Sequence, residues 1–157
     1  MVRHECHFVF FRRSWVCSQQ LENLLIMHEL SQRCDLRLKG VHPHLVNVVR
    51  RAIQITTVNF RVLEGVRSLE RQKALMAIGA SQTLNSRHIP GPDRLAKAVD
   101  LGAYVGDEVR WDWPLYYKIA AAMKEAANEL SVPIEWGGDW KIFRDGPHFQ
   151  LPRKEYP

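Results

Sequence analysis

Long apolar runs are missing from this 157-residue sequence. A helix that crosses a bilayer needs about 20 consecutive apolar residues, and no run here approaches that length. The first 30 residues hold a short apolar burst at residues 8–11, followed by Arg12 and Arg13. A secretory signal needs about 7 to 15 unbroken apolar residues and a small-residue cleavage site. We therefore expect no membrane insertion and no signal peptide. We interpret residues 1–30 as an N-terminal extension that is dispensable, loosely packed or disordered.

Cysteine is scarce as well. Cys6, Cys17 and Cys34 are the only three, and they form neither a C-x-x-C pair nor an even set. A disulfide framework is therefore not expected, and synthesis in the reducing cytoplasm is the simpler interpretation. The run H-E-C-H at residues 4–7 has no second pair of ligands at metal-binding spacing, so we do not interpret it as a metal site.

Acidic residues are rare between Arg33 and Arg61, where six basic residues accompany Asp35 alone, and the whole chain carries a net charge of +5. Such a balance suits a polyanionic partner. The basic residues are scattered, however, with little aromatic interleaving and no motif of a known nucleic-acid reader. We expect no nucleic-acid partner. An anionic surface such as a bacterial envelope fits the charge equally well.

The composition is that of one globular domain, with 46% hydrophobic and 25% charged residues. Hydrophobic periodicity predicts helices and strands in mixed order, without βαβ repetition, which favours an α+β fold with a small antiparallel sheet flanked by helices. The predicted elements are a helix of about 13 residues after residues 40–44, a strand through 58–62, a helix over 69–78, a strand through 98–101, a helix over 113–130, and short strands within 132–140 and 147–151. The longest helix is predicted to bury Leu115, Ile119, Met123, Ala126 and Leu130.

A carboxylate and an imidazole lie close together near the end of the chain, in the run R-D-G-P-H-F-Q-L. Gly146 and Pro147 separate Asp145 from His148 and exclude a helical turn between them. In the strand that follows, His148 and Gln150 share one face while their neighbours share the other. The imidazole can therefore face a cleft while the neighbouring side chains enter the core.

Two further residues of the types that bind metals are His88 and Asp100. Together with His148 they make two histidines and one carboxylate, the ligand set of a catalytic zinc site with one position left open. On spacing alone, an aspartate at a strand end and two ordinary histidines are the better explanation, because the chain has seven histidines. His and Asp ligands would also accept other divalent ions.

The order of the motifs strengthens the metal-site interpretation. S-R-H at residues 86–88, A-V-D at residues 98–100 and the run at residues 136–151 together resemble the zinc-dependent M15 peptidases. Within that family the likeness is to the bacteriophage endolysins that cut the L-alanyl-D-glutamate bond of peptidoglycan. It covers roughly residues 30–155 and is spread over five separated motifs. The resemblance implies a Hedgehog/DD-peptidase-like fold, with residues 31–157 as the zinc peptidase domain.

The resemblance also implies roles for individual residues. Zn²⁺ would be held by His88, Asp100 and His148. Asp145 would be the catalytic acid/base, because a carboxyl beside zinc-acidified water can take the proton and later return it to the leaving amine. Glu135 is the alternative base. It lies thirteen residues from His148, whereas Asp145 lies three residues away, which favours Asp145.

Peptide cleavage also needs stabilisation of the developing oxyanion. The resemblance assigns to Arg67 the catalytic role of polarising the scissile carbonyl or anchoring the substrate. It assigns substrate binding to Gln72, as a second polar contact, and to Ser86, as a hydrogen-bonding group.

The sequence departs from the family pattern in one place. His88 and Asp100 are twelve residues apart, whereas about seven is usual, and residues 91–97 fill the gap. A longer loop costs little chain entropy, so both ligands can still meet. Lys97 stands directly before the A-V-D motif, and Asp93 inside the loop is a reserve ligand.

The sequence thus predicts a monomeric zinc-dependent peptidoglycan endopeptidase that acts as a lysis enzyme on L-alanyl-D-glutamate bonds. The alternatives are a D-alanyl-D-alanine carboxypeptidase or dipeptidase on the same scaffold, and an inactive wall-binding module. Without a signal peptide, the enzyme would be made in the cytoplasm and would reach the wall after a separate partner permeabilises the membrane. That last step follows from the family alone.

Overall fold

The structure is a computed structural model that describes residues 28–157. The predicted N-terminal extension over residues 1–30 therefore lies almost wholly outside the described residues, as do the H-E-C-H run, Cys6 and Cys17. The remaining cysteine, Cys34, is buried and has no disulfide partner within residues 28–157. Among the helices of the described part of the chain, none has the length and apolar character needed to cross a membrane.

Within residues 28–157, four helices and five strands make an α+β fold, as predicted. In chain order they are α1 (Gln32–Leu38), α2 (Pro43–Ile55), β1 (Phe60–Glu64), α3 (Leu69–Ala77), β2 (Ala98–Val105), β3 (Glu108–Arg110), α4 (Trp113–Glu129), β4 (Glu135–Trp136) and β5 (His148–Gln150). A 3-10 turn, Gly137–Asp139, follows β4.

The strands form one antiparallel sheet in the order β1-β2-β5-β4, and β3 pairs with the far end of β2. Asp100 of β2 lies opposite Glu64 of β1 on one side and opposite His148 of β5 on the other. Directly opposite residues in antiparallel strands project from the same face of the sheet. The register therefore places Glu64, Asp100 and His148 in one row across three strands.

The other face of the same strands enters the core. Val99 and Phe149 lie opposite each other, and both are fully buried, as are Leu101 and Leu151. They belong to one hydrophobic cluster with the apolar faces of α2 and α4, which pack against each other. The alternation along β2 and β5 thus separates a helix-covered apolar face from a polar face that is free to form a site.

The amphipathic helix predicted after residues 40–44 is confirmed as α2. It has 13 residues, and the predicted apolar face is buried: Leu45, Val48, Val49, Ala52 and Ile53. The predicted longest helix is also confirmed, but Leu130 was wrongly assigned to its buried face. Leu130 caps the C-terminus of α4 and is 42% exposed, because the helix ends before that position turns towards the core.

Two elements were not predicted. α1 is only seven residues long, and its N-terminus is capped by Ser31, whose hydroxyl accepts from the backbone N–H of Cys34. β3 is a three-residue strand that forms a hairpin with β2. Both elements are too short to produce a clear hydrophobic period in the sequence.

The packing of α4 predicts a stability difference between two isoleucines. Ile119 is fully buried in the hydrophobic cluster, whereas Ile142 is 87% exposed. Ile119→Ala should lower the free energy of unfolding by about 2–5 kcal/mol, and Ile142→Ala should change it by less than about 0.5 kcal/mol. Urea denaturation at fixed metal concentration measures both. Equal losses in the two variants would contradict the described core.

Candidate active site

A cavity of about 590 Å³ opens on the polar face of the sheet. Glu64, Asp100 and His148 contribute to its wall from three neighbouring strands, and His88 contributes from the segment before β2. Two other parts of the wall come from the segment over residues 80–87 and from the loop that carries Trp140, Phe143 and Asp145. The cavity therefore contains the predicted metal ligands and the predicted acid/base together.

Three donor atoms converge at the floor of this cavity. His88 Nε2 lies 3.2 Å from Asp100 Oδ1 and 3.3 Å from His148 Nδ1, and His148 Nδ1 lies 3.2 Å from the same Asp100 oxygen. The three atoms thus form a nearly equilateral triangle. His88 and His148 are buried, and the Asp100 side chain is 19% exposed.

The partners of the outer ring nitrogens fix the state of both imidazoles. His88 Nδ1 lies 2.7 Å from the carbonyl oxygen of Gly65, which can only accept a hydrogen bond. His148 Nε2 lies 3.0 Å from Gln150 Oε1, and Gln150 in turn donates through Nε2 to Glu135. Each outer nitrogen therefore carries the proton. In the neutral imidazoles, the inner nitrogens then present lone pairs to Asp100 and to each other.

Three lone pairs that face one another at 3.2–3.3 Å repel unless a positive charge lies between them. In the absence of a metal, a proton on the inner nitrogen of His148 would supply such a charge and would turn its lone-pair contact with Asp100 into a hydrogen bond, and the pKa shifts reflect that protonated form. Burial opposes ionisation of Asp100, but attraction to His88 and hydrogen bonds with both imidazoles hold its pKa well below the ordinary range. Burial would also lower the pKa of His148, but its hydrogen bond to Asp100 raises it instead. The cluster thus favours a cation.

The geometry of the cluster fits a tetrahedral metal ion. Bonds of about 2.0–2.1 Å to nitrogen and oxygen ligands at tetrahedral angles place the ligand atoms about 3.3–3.4 Å apart. The observed separations of 3.2–3.3 Å come close to that value without any rearrangement. Within residues 28–157, this is the one group of three or more His, Cys, Asp or Glu residues whose ligand atoms lie close enough to hold a metal ion.

Close backbone contacts hold the two histidines in place. Gly65, which accepts from His88, lies so near α1 that an added Cβ would fall 2.1 Å from the carbonyl oxygen of Arg37. A side chain at this position would displace the carbonyl that orients His88. Near His148, the indole nitrogen of Trp136 donates to the Gly146 carbonyl at 2.7 Å and anchors the Gly146-Pro147 turn to the core.

Asp145 lies at the start of that turn and lines the cavity. Its backbone N–H donates to the Gly137 carbonyl, and a Cβ added to Gly137 would lie 3.1 Å from the Cβ atoms of both Asp145 and His148. Burial raises the pKa of Asp145, and the charge of Asp100 raises it further. Glu135, the alternative base, is exposed, and its carboxylate accepts from Gln150 behind His148.

Arg67 is 8% exposed and is bound on several sides. Its Nη2 donates to Glu64 at 2.5 Å and to Asp100 Oδ2 at 3.1 Å, and its Nη1 donates to Gln72 at 2.9 Å. Gln72 is fully buried and donates through its amide to Ser81 and to the Thr83 carbonyl. Arg67 therefore contacts the oxygen of Asp100 that points away from the histidines, while Gln72 lies behind Arg67.

Ser86 lines the cavity beside His88, and its hydroxyl accepts from the His88 backbone N–H at 3.3 Å. Trp140 packs against the His148 ring, with ring centroids 5.1 Å apart, and Phe143 lies half-exposed on the wall. The structure thus brings the three predicted ligands, Asp145, Arg67 and Ser86 to one cavity. Gln72 reaches that group only through Arg67.

The long connection between His88 and Asp100 is closed at its base by the backbone. Lys97 N–H donates to the Arg87 carbonyl at 2.7 Å. The Lys97 side chain is 5% exposed, and its ammonium binds both carboxylate oxygens of Asp93, at 2.8 and 2.9 Å. Asp93 therefore neutralises Lys97 and does not join the metal-binding cluster.

Sequence reasoning missed the roles of several residues of the site. Gln150 and Glu135 orient His148, and Glu64 neutralises Arg67. The alternation that places Gln150 on the face of His148 is visible in the sequence. The pairing of Glu135 with Gln150 and of Glu64 with Asp100 is not visible, because it depends on which strands become neighbours.

Comparison with known protein families matches residues 26–151 to the family described as phage L-alanyl-D-glutamate peptidase. A peptidase of that name from Escherichia phage T5 is 26% identical over 132 residues, which cover 82% of this chain and 92% of that protein. A peptidase of the same name from Listeria phage A118 is 37% identical over 95 residues, which cover 60% of this chain and 31% of that protein.

A solved structure is also similar. The L-Ala D-Glu endopeptidase ChiX of Serratia marcescens superposes with a TM-score of 0.76 at 43% sequence identity. The superposition covers 85% of this chain and 96% of that one. The match therefore includes nearly the whole of the Serratia protein.

The Asp93–Lys97 pair predicts a stability effect that depends on pH. Hydrogen bonds from Lys97 hold the pKa of Asp93 below its ordinary value. The contribution of the Asp93–Lys97 pair to stability is therefore present at neutral pH. It is lost as the pH falls through the pKa that Asp93 has in the folded protein. Asp93→Asn should lower the melting temperature at pH 7, and the difference from the wild type should shrink below about pH 4.

Two variants accompany this measurement. The double variant Asp93→Asn/Lys97→Met should recover part of the loss, because it removes the buried charge that Asp93→Asn leaves without a partner. Asp107→Asn, at an exposed turn, should leave the melting temperature unchanged. A double variant less stable than Asp93→Asn would contradict this account.

Proposed function

The chain belongs to the phage L-alanyl-D-glutamate peptidase family, and from this premise we propose that it is a zinc-dependent peptidoglycan endopeptidase that hydrolyses the bond between L-alanine and D-glutamate. The relatives with this activity in their names match the chain across most of its described length. The observation that carries the proposal is the convergence of His88 Nε2, Asp100 Oδ1 and His148 Nδ1 in the cavity.

Zinc suits these ligands best among the common divalent ions. Two imidazoles and one carboxylate with an open side form a known ligand set for catalytic zinc. When bound, zinc supplies a Lewis acid that polarises a carbonyl and acidifies water at neutral pH. The residues that would hold it are His88, Asp100 and His148, oriented from behind by the Gly65 carbonyl, by Arg67 and by Gln150.

Asp145 is the group that moves the proton. Its carboxyl lines the same cavity as the three ligands, and its raised pKa favours a carboxylate that can accept a proton and give it back. In this proposal, Asp145 takes a proton from the attacking water and delivers it to the nitrogen of the leaving D-glutamyl residue. Glu135 contributes by holding Gln150.

Arg67 and Ser86 act on the substrate side of the proposal. Arg67 lines the cavity and would place positive charge near the carbonyl oxygen as it gains negative charge. Its contacts to Glu64 and Gln72 hold the guanidinium in one orientation. Ser86 offers a hydroxyl beside His88. That Gln72 itself touches the substrate stays a prediction, since its three hydrogen bonds are made within the protein.

We further propose that residues 31–157 act as a monomeric catalytic domain on bacterial peptidoglycan. The proposal that the protein is made in the cytoplasm and reaches the wall after membrane permeabilisation rests on the family's phage members. The fold itself supports a single catalytic unit, because the sheet, α2 and α4 share one hydrophobic cluster.

Loss of one ligand tests the metal site. His148→Ala should reduce bound zinc from about one ion per chain to below one tenth and should abolish wall cleavage. Elemental analysis and the loss of turbidity of purified walls measure the two effects on the same samples. The matched control is His44→Ala, because His44 is an exposed histidine that contacts Tyr156 and lies outside the cavity.

Equal zinc content in the wild type and His148→Ala would refute the assignment of the ligands. Mass spectrometry of the digested wall identifies the bond. New amino termini on glutamate support the endopeptidase, whereas release of terminal D-alanine alone would support a carboxypeptidase.

Asp145 has a separate prediction. Asp145→Asn should retain zinc and fold normally, while kcat falls by about 10²–10⁴-fold, because an amide cannot take the proton. Asp139→Asn removes a nearby exposed carboxylate that pairs with Lys124, and it should keep kcat within about twofold. Activity of Asp145→Asn close to that of the wild type would exclude Asp145 as the acid/base.

A further inference from the structure

Two arginines in the cavity wall have no role in the mechanism above. Arg87 and Arg153 line the 590 Å³ cavity and also a second cavity of about 210 Å³ that shares this part of the wall. Arg87 occupies the middle position of the S-R-H motif, between Ser86 and His88. Both arginines thus line the same cavity as His88, Asp100 and His148.

Neither arginine has a carboxylate partner within residues 28–157. Arg87 is 7% exposed and donates through Nη2 to the carbonyl oxygens of Leu151, at 3.0 Å, and Tyr156. Its Nε is buried and has no hydrogen-bond partner among these residues. Arg153 is exposed and donates to the Asn85 carbonyl at 2.6 Å.

The other cations in these two cavities are neutralised. Arg67 pairs with Glu64 and Asp100, and Lys97 pairs with Asp93. Burial lowers the pKa of Arg87 and the positive charge of Arg153 lowers it further, whereas the negative charges of Glu135 and Asp93, neither of which forms an ion pair with Arg87, raise it. Two arginines without a carboxylate in direct contact are suited to an anionic ligand, and the exposed Arg153 offers the accessible donors.

The proposed substrate carries such an anion close to the bond that is cut. A glutamyl residue has two carboxyl groups, and only one of them can continue the peptide chain. The other remains a free carboxylate a few bonds from the scissile nitrogen. We propose that Arg87 and Arg153 form an anion subsite that binds this free carboxylate of the D-glutamyl residue. The inference rests on the proposed function and adds a determinant of specificity to it.

The subsite predicts discrimination between an acid and its amide. Two synthetic stem peptides are compared, one with a free glutamyl carboxylate and one with that group as the primary amide. The wild type should cleave the acid with a kcat/KM roughly tenfold higher or more, because a charge-assisted pair is lost in the amide. In Arg153→Gln this preference should fall towards one, mainly through a higher KM for the acid.

Lys154→Gln is the matched control, because it removes the same charge from the neighbouring exposed residue, which does not line either cavity. It should keep the preference of the wild type. An unchanged preference in Arg153→Gln, or an equal loss in both variants, would overturn the subsite. A third peptide, with its C-terminal carboxylate amidated, separates the two sources of charge. If amidation of the C-terminal carboxylate, and not of the glutamyl carboxylate, lowered kcat/KM in the wild type but not in Arg153→Gln, the assignment of the subsite to the glutamyl carboxylate would be refuted.

A binding measurement separates this inference from the proposed function. Calorimetric titration of Asp145→Asn with the two peptides reports affinity without turnover. The subsite is supported if Asp145→Asn binds the acid more tightly than the amide and if this difference disappears in Asp145→Asn/Arg153→Gln. This result would stand even if the wild type cleaved neither peptide and the proposed function failed. Equal affinity for acid and amide would refute the subsite, even if the wild type cleaves both.

Discussion

The position of Asp100 between two neighbouring strands is the constraint on which the site depends. Its backbone pairs with Glu64 on one side and with His148 on the other. Its two carboxylate oxygens also have different partners. One oxygen faces the imidazoles and the other accepts from Arg67. A slip of one residue in either pairing would turn these side chains towards the core. The alternation of core-facing and cavity-facing residues along β2 and β5 thus determines the site and the core together.

The ligands are held by groups of quite different kinds. His88 is oriented by the main-chain carbonyl of Gly65. Any side chain at position 65 would clash with α1 and displace that carbonyl. His148 is oriented by Gln150, and behind it by the exposed Glu135. The first support is rigid and buried, whereas the second is a side-chain relay that reaches the surface. Variation in metal affinity among relatives should therefore arise more easily on the His148 side.

Much of the fold could be predicted from the sequence where a long hydrophobic period exists, as in α2 and α4. The ligands His88, Asp100 and His148 could be proposed from motif order, although spacing alone did not distinguish them from ordinary residues. The pairs Glu64–Arg67 and Glu135–Gln150 could not be predicted, because they form across strands whose neighbours only the folded sheet determines. The role of Arg87 could not be predicted for another reason, because it occupies the variable position between two motif residues.

The inserted loop between His88 and Asp100 is fastened by main-chain contacts. Lys97 N–H binds the Arg87 carbonyl, and Ala96 bonds in both directions to the segment before α2. These bonds do not depend on the residues inside the loop, so evolution can lengthen or shorten it without moving the ligands. The exception is Asp93, which neutralises the buried Lys97. Loop length and the identity of residue 97 should therefore covary among relatives, with lysine kept only where the loop brings its own acid.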